Sequence, residues 1–285
     1  MNKKITEVFA KGKAFIPFVT CGDPSLDVTE KIVYAMEEAG ADLIELGIPF
    51  SDPIAEGSTI QEANVRALKN KVTTDDVFEM VKKVREKSDI PLCFMTYLNV
   101  VFHYGYDAFF KKCQEVGIDG IILPDLPYEE SQEVKDVCYN YDVTLISMIA
   151  PTSKDRVEMI AKDAKGFIYL VSSMGVTGTR ENTSFANNLE EIIDHIHQVT
   201  DTPVAIGFGI NKPEQVKEFK QYADGVIVGS AIVNIIKEHG DHADLPLKEY
   251  IQSLTEQMNF KQMETSVFLF IFIFFVYPKN VEVNL

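Results

Sequence analysis

Basic residues are scarce in this 285-residue chain: 27 Lys and Arg stand against 43 Asp and Glu, a formal net charge of −16. Sequence-independent nucleic-acid binding rests on Lys and Arg neutralising phosphates, so no nucleic-acid partner is expected. Any phosphate ligand would have to be held mainly by backbone N–H groups and helix N-termini. Metal-ligand patterning is absent as well. Cys21, Cys93, Cys113 and Cys138 form no CxxC pair and have no His at ligand spacing, and they sit in apolar runs or helical patterns, where core thiols belong. No Ser/His/Asp order stands out, and His195 and His197 lie in a helical pattern and read as structural. No GxGxxG follows the first apolar run, which removes the fingerprint of a dinucleotide-binding open sheet. No apolar signal region precedes Glu7, so a reduced, cytoplasmic protein is expected. The apolar run Val267–Tyr277 has eleven residues, short of the roughly 20 that a spanning helix needs, and no membrane partner is expected.

What is present is an ordinary globular balance, 46% apolar and 25% charged, with ample length for a full core. Residues 1–12 read as a short amphipathic helix carrying Ile5, Val8 and Phe9. Apolar runs then alternate with helical periodicity along the chain. The strands are expected at 15–20, 41–46, 90–97, 120–123, 143–148, 167–171, 203–206 and 225–228, and each is followed by a helical stretch, the last two near 230–239 and 247–258. Strands without polar alternation, joined by helices, mark a parallel sheet buried on both faces. Eight such β/α units in about 250 residues fit a closed (β/α)8 TIM barrel with an extra N-terminal helix. The expected catalytic domain is residues 1–259. Residues 260–285 form an atypical hydrophobic tail outside the barrel, β-prone and an aggregation hazard if exposed. A non-native extension is preferred over a membrane or partner anchor for this tail.

The chain is organised around Leu43–Gly57. It starts as an apolar strand containing Glu45 and breaks at Gly47 and Pro49 into a loop carrying Asp52 and Glu56. An isolated buried carboxylate is costly, so Glu45 must be paired, protonated or useful. Active sites of this fold lie at the C-terminal ends of the strands. That rule selects Phe18, Glu45, Tyr97, Asp125, Tyr169 and Gly207, although alternation along a strand leaves open which of them face the axis. Gly207-Phe208-Gly209 follows strand seven, and Gly229-Ser230 follows strand eight and opens a helix. Loops after strands seven and eight recur as phosphate sites in this fold, and Gly178 could add a third side. The long polar loop 172–184 and the loop 47–57 are candidate lids. Two carboxylates, a phosphate cradle and apolar walls (Phe18, Met95, Ile122, Phe208) suggest proton transfer on a phosphorylated ligand with a flat apolar part. Burial should raise the pKa of Glu45, which suits a general acid/base near neutrality.

On Leu43–Gly57, Pro17-Phe18-Val19-Thr20 with Gly22-Asp23-Pro24, Gly175-Val176-Thr177-Gly178 and the two glycine loops, the sequence resembles the tryptophan synthase alpha chain family over residues 1 to about 258. The resemblance implies a lyase that cleaves indole-3-glycerol phosphate to indole and glyceraldehyde 3-phosphate by a cofactor-free retro-aldol reaction. It implies Glu45 as general acid/base, Glu56 (usually Asp) as the carboxylate at the indole N–H, and Tyr169 as the tyrosine beside Glu45. Thr177 matches the lid threonine. Gly178, Gly209, Gly229 and Ser230 match the phosphate site, and Phe18, Tyr97 and Phe208 the indole walls. The departures are Glu56 for Asp, Ser58 where Pro is common, and Ser173 where an arginine is often found. The family implies an α2β2 heterotetramer with a beta chain that carries pyridoxal phosphate and receives the indole. Asp52, Pro53 and the loops after strands two and six would lie near that interface. The rivals are another phosphate-binding barrel enzyme, for which the needed Lys or carboxylate/Cys pair is missing, and a non-catalytic scaffold for the beta chain.

Overall fold

The structure is a computed structural model that describes residues 3–151, 153, 156–172, 182–207 and 209–259. Nine strand segments form one sheet in the order β5-β4-β3-β2-β1-β9-β8-β7-β6, and all eight pairings are parallel. The segments are β1 (Ala14–Thr20), β2 (Ile44–Gly47), β3 (Leu92–Met95), β4 (Gly120–Ile122), β5 (Thr144–Leu145), β6 (Ser147–Ile149), β7 (Ile168–Val171), β8 (Val204–Gly207) and β9 (Gly225–Val228). The two ends of the sheet, β5 and β6, are separated only by Ile146, whose N–H donates to Ile121 O at 2.9 Å. They are one strand that pairs with β4 by its first half and β7 by its second, so the sheet closes into the expected (β/α)8 barrel. The expected fifth strand is thus present but divided.

Helix α1 (Lys3–Ala10) buries Ile5 and Val8. Both join an inner cluster with Ala14, Leu43, Cys93 and Phe167, so α1 closes the N-terminal end of the barrel. Side chains absent at inward glycines make the space: a Cβ on Gly120 would lie 2.8 Å from Ile5, and one on Gly225 3.1 Å from the Phe9 ring. The outer helices begin with α2 (Leu26–Glu38), α3 (Ser58–Lys69) and α4 (Thr74–Val84). Ser25 caps α2 by accepting from Val28 N, and Thr73 with Asp76 forms a reciprocal capping box on α4. Helices α5 (Leu98–Tyr104) and α6 (Tyr106–Val116) follow β3, then α7 (Ser131–Asn140), α8 (Val157–Asp163) and α9 (Asn182–His197). The last are α10 (Pro213–Phe219), α11 (Ser230–His239) and α12 (Asp244–Asn259).

Alternation along the strands separates two apolar layers. On β1, Phe15 and Val19 belong to the large cluster between barrel and helices, whereas Ala14 and Ile16 belong to the inner one. On the second strand Leu43 is inner and both Ile44 and Leu46 are outer, which turns Glu45 into the barrel. All four cysteines are free and buried, and His197 contacts Asp224 at 3.0 Å on the outer surface. Among the described residues no helix is long and apolar enough to cross a membrane, and no group of three His, Cys, Asp or Glu could hold a metal ion. The hydrophobic tail from residue 260 lies outside the described residues.

Candidate active site

A cavity of about 400 Å³ opens at the C-terminal ends of the strands. Of the residues expected there, Phe18, Glu45, Glu56, Tyr169, Gly209, Gly229 and Ser230 line it. Thr177, Gly178 and Phe208 lie outside the described residues, as does the rest of loop 173–181. Tyr97 does not line the cavity, and Ile122 sits deeper in the inner cluster. Asp125 is committed elsewhere: its two oxygens accept from Leu98 N at 2.9 and 3.1 Å, capping α5.

Glu45 is 1% exposed, and neither carboxyl oxygen has a hydrogen-bond partner among the described residues. Phe18 and Cys93 stand beside it in register on the neighbouring strands, and neither offers a charge to pair with it. Burial therefore pushes its pKa up to about 8. The carboxyl is consequently protonated at neutral pH. Tyr169 shares the inner cluster, and its phenol is raised well above the ordinary value, first by burial and then by the negative charge that Glu45 would carry. Two glycines set the positions of these aromatics. A Cβ on Gly207 would lie 2.3 Å from the Tyr169 hydroxyl, and one on Gly47 2.7 Å from the Phe18 ring. Both rings occupy the space that a side chain would take.

Glu56 accepts a hydrogen bond from the Tyr97 hydroxyl. Its pKa is raised, because burial outweighs that hydrogen bond and two backbone donors, with Asp125 adding repulsion. Three uncharged residues, Gly209, Gly229 and Ser230, also line the cavity. Gly229 precedes α11, Ser230 opens it, and Gly209 adopts a left-handed φ of +81°. The first N–H groups of a ten-residue helix, free of intrahelical partners, thus meet a hydroxyl and a side-chain-free turn. Backbone dipoles so arranged favour an anion without the help of basic side chains.

Several lining residues escaped the sequence reading. Ile227 is recoverable, since alternation from Gly225 to Gly229 turns it inward. Ile60 contacts Phe18 at the rim from the first turn of α3, where helical periodicity gives no sign of the site. Lys135 extends the lining behind β5 and is buried on α7 against Asp163 of α8, a pairing that depends on how two helices meet.

With this geometry in hand, comparison with known proteins is decisive. The model of the family described as tryptophan synthase alpha chain matches residues 6–266. The chain belongs to this family. The tryptophan synthase alpha chain of Lacticaseibacillus casei is 44% identical over 262 residues, covering 92% of this chain and 98% of that protein. The one of Lactiplantibacillus plantarum is 46% identical over 262 residues with the same coverage. Among solved structures, tryptophan synthase subunit alpha from Legionella pneumophila str. Paris superposes with a TM-score of 0.82 at 34% identity, covering 91% of this chain and 99% of that one. A structure of the tryptophan synthase α2β2 complex from Pyrococcus furiosus matches with a TM-score of 0.79 at 37% identity, over 86% and 99% of the two chains.

Proposed function

We propose that this chain is the alpha subunit of tryptophan synthase, a lyase that cleaves indole-3-glycerol phosphate to indole and glyceraldehyde 3-phosphate and passes the indole to a beta chain. The observation that carries the reading is Glu45: a buried carboxyl inside the barrel with no hydrogen-bond partner among the described residues, on the same cavity as a second carboxylate, Gly209, Gly229 and Ser230. The phosphate sits at Gly209, Gly229 and Ser230, with Gly178 on the lid side. The indole lies against Phe18 and Phe208, and Glu56 meets its N–H.

Glu45 then gives its proton to C3 of the indole ring, and Glu56 stabilises the positive charge that appears at the ring nitrogen. The bond from C3 to the glycerol carbon breaks, and its electron pair restores the aromatic ring. The hydroxyl on that glycerol carbon loses its proton to Glu45 as the aldehyde forms, so the carboxyl is protonated again. A pKa of about 8 lies near neutrality, which keeps both directions of transfer accessible. Tyr169 walls the side of Glu45, and Thr177 takes the family's role of positioning the second carboxylate. Glu45 moves the protons, Glu56 holds the charge, and the electron pair of the broken bond stays in the ring, so the chain itself uses no cofactor, and pyridoxal phosphate belongs to the beta chain. The α2β2 assembly places its interface on the loop after β2, with Asp52 and Pro53, and on the loop after β7. Ile54, in the loop after β2, is 82% exposed, and an apolar side chain so placed supports that loop as part of the docking face.

The test is indole release from indole-3-glycerol phosphate by the wild type and Glu45→Gln, with and without a beta chain. Release that rises with the beta chain and vanishes in the Gln variant is expected. A wild type that stays inactive with the beta chain present, and after removal of residues 260–285, would leave only a scaffolding role.

A further inference from the structure

Tyr97 was expected as a wall of the indole pocket, yet its hydroxyl serves the loop that carries Glu56. A phenol offers one O–H to donate and two lone pairs that accept. All three are used by consecutive residues of one loop. The N–H of Ile54 donates to the phenol oxygen at 2.8 Å and that of Ala55 at 2.7 Å, while the O–H donates to the Glu56 carboxylate. Phe50, earlier in the same loop, stacks on the Tyr97 ring with centroids 4.9 Å apart. The two partners differ in rigidity. Residues 48–57 contain no helix or strand, and Ile54 at their centre is 82% exposed, so the loop has little packing of its own. Tyr97 is 3% exposed and is rooted between β3 and α5, whose first N–H is capped by Asp125.

We propose that Tyr97 is a positioning residue for Glu56: its hydroxyl ties loop 50–57 to the end of β3 and holds the second carboxyl group at the cavity edge. The inference rests on the reading of Glu56 as the group that meets the indole N–H. Among the described residues, Tyr97 at the end of β3 donates to Glu56, Asp125 after β4 repels it, and Glu45 on β2, Lys135 on α7 and Arg156 before α8 line the same cavity. Burial opposes ionisation, and the phenol is the side-chain donor that counters it. One oxygen atom therefore controls both where the carboxylate lies and how readily it ionises. The two backbone N–H groups make the phenol oxygen a better donor, since a hydroxyl that accepts hydrogen bonds polarises its own O–H.

Tyr97→Phe keeps the ring and its stack on Phe50 and removes only that oxygen. For indole-3-glycerol phosphate cleavage, kcat falls about ten- to a hundredfold, the range for losing a hydrogen bond to a charged group, while KM changes little. The acidic limb of the pH–rate profile moves to higher pH, because Glu56 loses the donor that favours its charged form. In a Glu56→Ala background the same substitution costs no further activity, since the acceptor it serves is already gone. Independently of turnover, carboxyl 13C NMR of Glu56 titrates at higher pH in Tyr97→Phe than in the wild type. An equal loss of activity in the Ala background, or an unchanged Glu56 midpoint, overturns the proposal. Failure of the wild type to cleave the substrate would instead sink the reaction, and the carboxyl titration would still judge the link between Tyr97 and Glu56.

Discussion

Replacing Glu45 by Gln should abolish cleavage and at the same time stabilise the protein, by an amount that depends on pH. In the folded chain this carboxyl has a pKa of about 8, against an ordinary value of 4.5. Between those two values the native state holds a proton that the unfolded state has released, so stability falls as pH rises through that window. Below pH 4.5 both states are protonated and Glu45 contributes no pH dependence. At 1.36 kcal/mol per pKa unit the slope approaches ~1.4 kcal/mol per pH unit, and integration from pH 5 to 9 gives about 4 kcal/mol. Gln has the shape of the protonated carboxyl and cannot ionise, so Glu45→Gln escapes this loss. The stability gap between variant and wild type should therefore be small at pH 5, widen steadily to pH 8 and then flatten. For a chain of this size ~4 kcal/mol corresponds to roughly 10 °C in Tm. Urea and thermal unfolding of both proteins at unit pH intervals measure the gap. Parallel curves from pH 5 to 9 would refute the reasoning, because they would mean that Glu45 is ionised and solvated, or paired, in the folded state.

Other substitutions test separate parts of the site. Gly207→Ala puts a methyl group 2.3 Å from the Tyr169 hydroxyl, so it should cost about 1–3 kcal/mol by overpacking and lower kcat through displacement of the ring beside Glu45, as urea unfolding and cleavage assays would record. Ser230→Asp places a carboxylate at the proposed phosphate site: KM for the phosphorylated substrate should rise at least about tenfold, while the helix N-terminus gains roughly 0.5 kcal/mol from the favourable dipole. Steady-state kinetics beside thermal melting separates these opposite effects, and a fall in KM would contradict the phosphate assignment. Arg66→Ala removes the bidentate partner, at 2.8 and 2.7 Å, of an Asp23 that is 2% exposed, and about 3 kcal/mol of stability should go with it by denaturant titration.

The barrel was legible because its signal is repetitive. Eight apolar runs, each followed by a helical period, leave few architectures, and a segment misjudged by two residues does not alter the count. What the sequence could not give depended on contacts between distant residues. Helix α5 is missing from the pattern because Tyr97, which precedes it, offers no side-chain cap; the cap comes from Asp125, 27 residues beyond Leu98. The fifth strand reads as continuous because nothing local at Ile146 marks the point where its pairing passes from one neighbour to the other. Glu45 was identifiable as an anomaly, a carboxylate in an apolar run, but its direction followed only once Leu43 was seen to pack inside and Ile44 and Leu46 outside.

Tyr97 shows the limit most clearly. The end-of-strand rule selects it as a residue near the chemistry, and the family resemblance assigns it to a wall. Neither can distinguish a ring presented to the ligand from a hydroxyl presented to a neighbouring loop, since both need a tyrosine at the same position. The distinction lies in hydrogen-bond saturation, with two N–H groups and one carboxylate from residues 54–56 converging on a single oxygen. That convergence also bears on the departure from the family pattern. A glutamate at position 56 reaches one methylene further than the usual aspartate, and it is the carboxylate that the phenol engages. If the extra length is what completes this contact, Glu56→Asp should reproduce the pH shift of Tyr97→Phe while retaining a carboxylate. An Asp variant with the wild-type profile would show that the loop backbone, through Ile54 and Ala55, carries the positioning by itself.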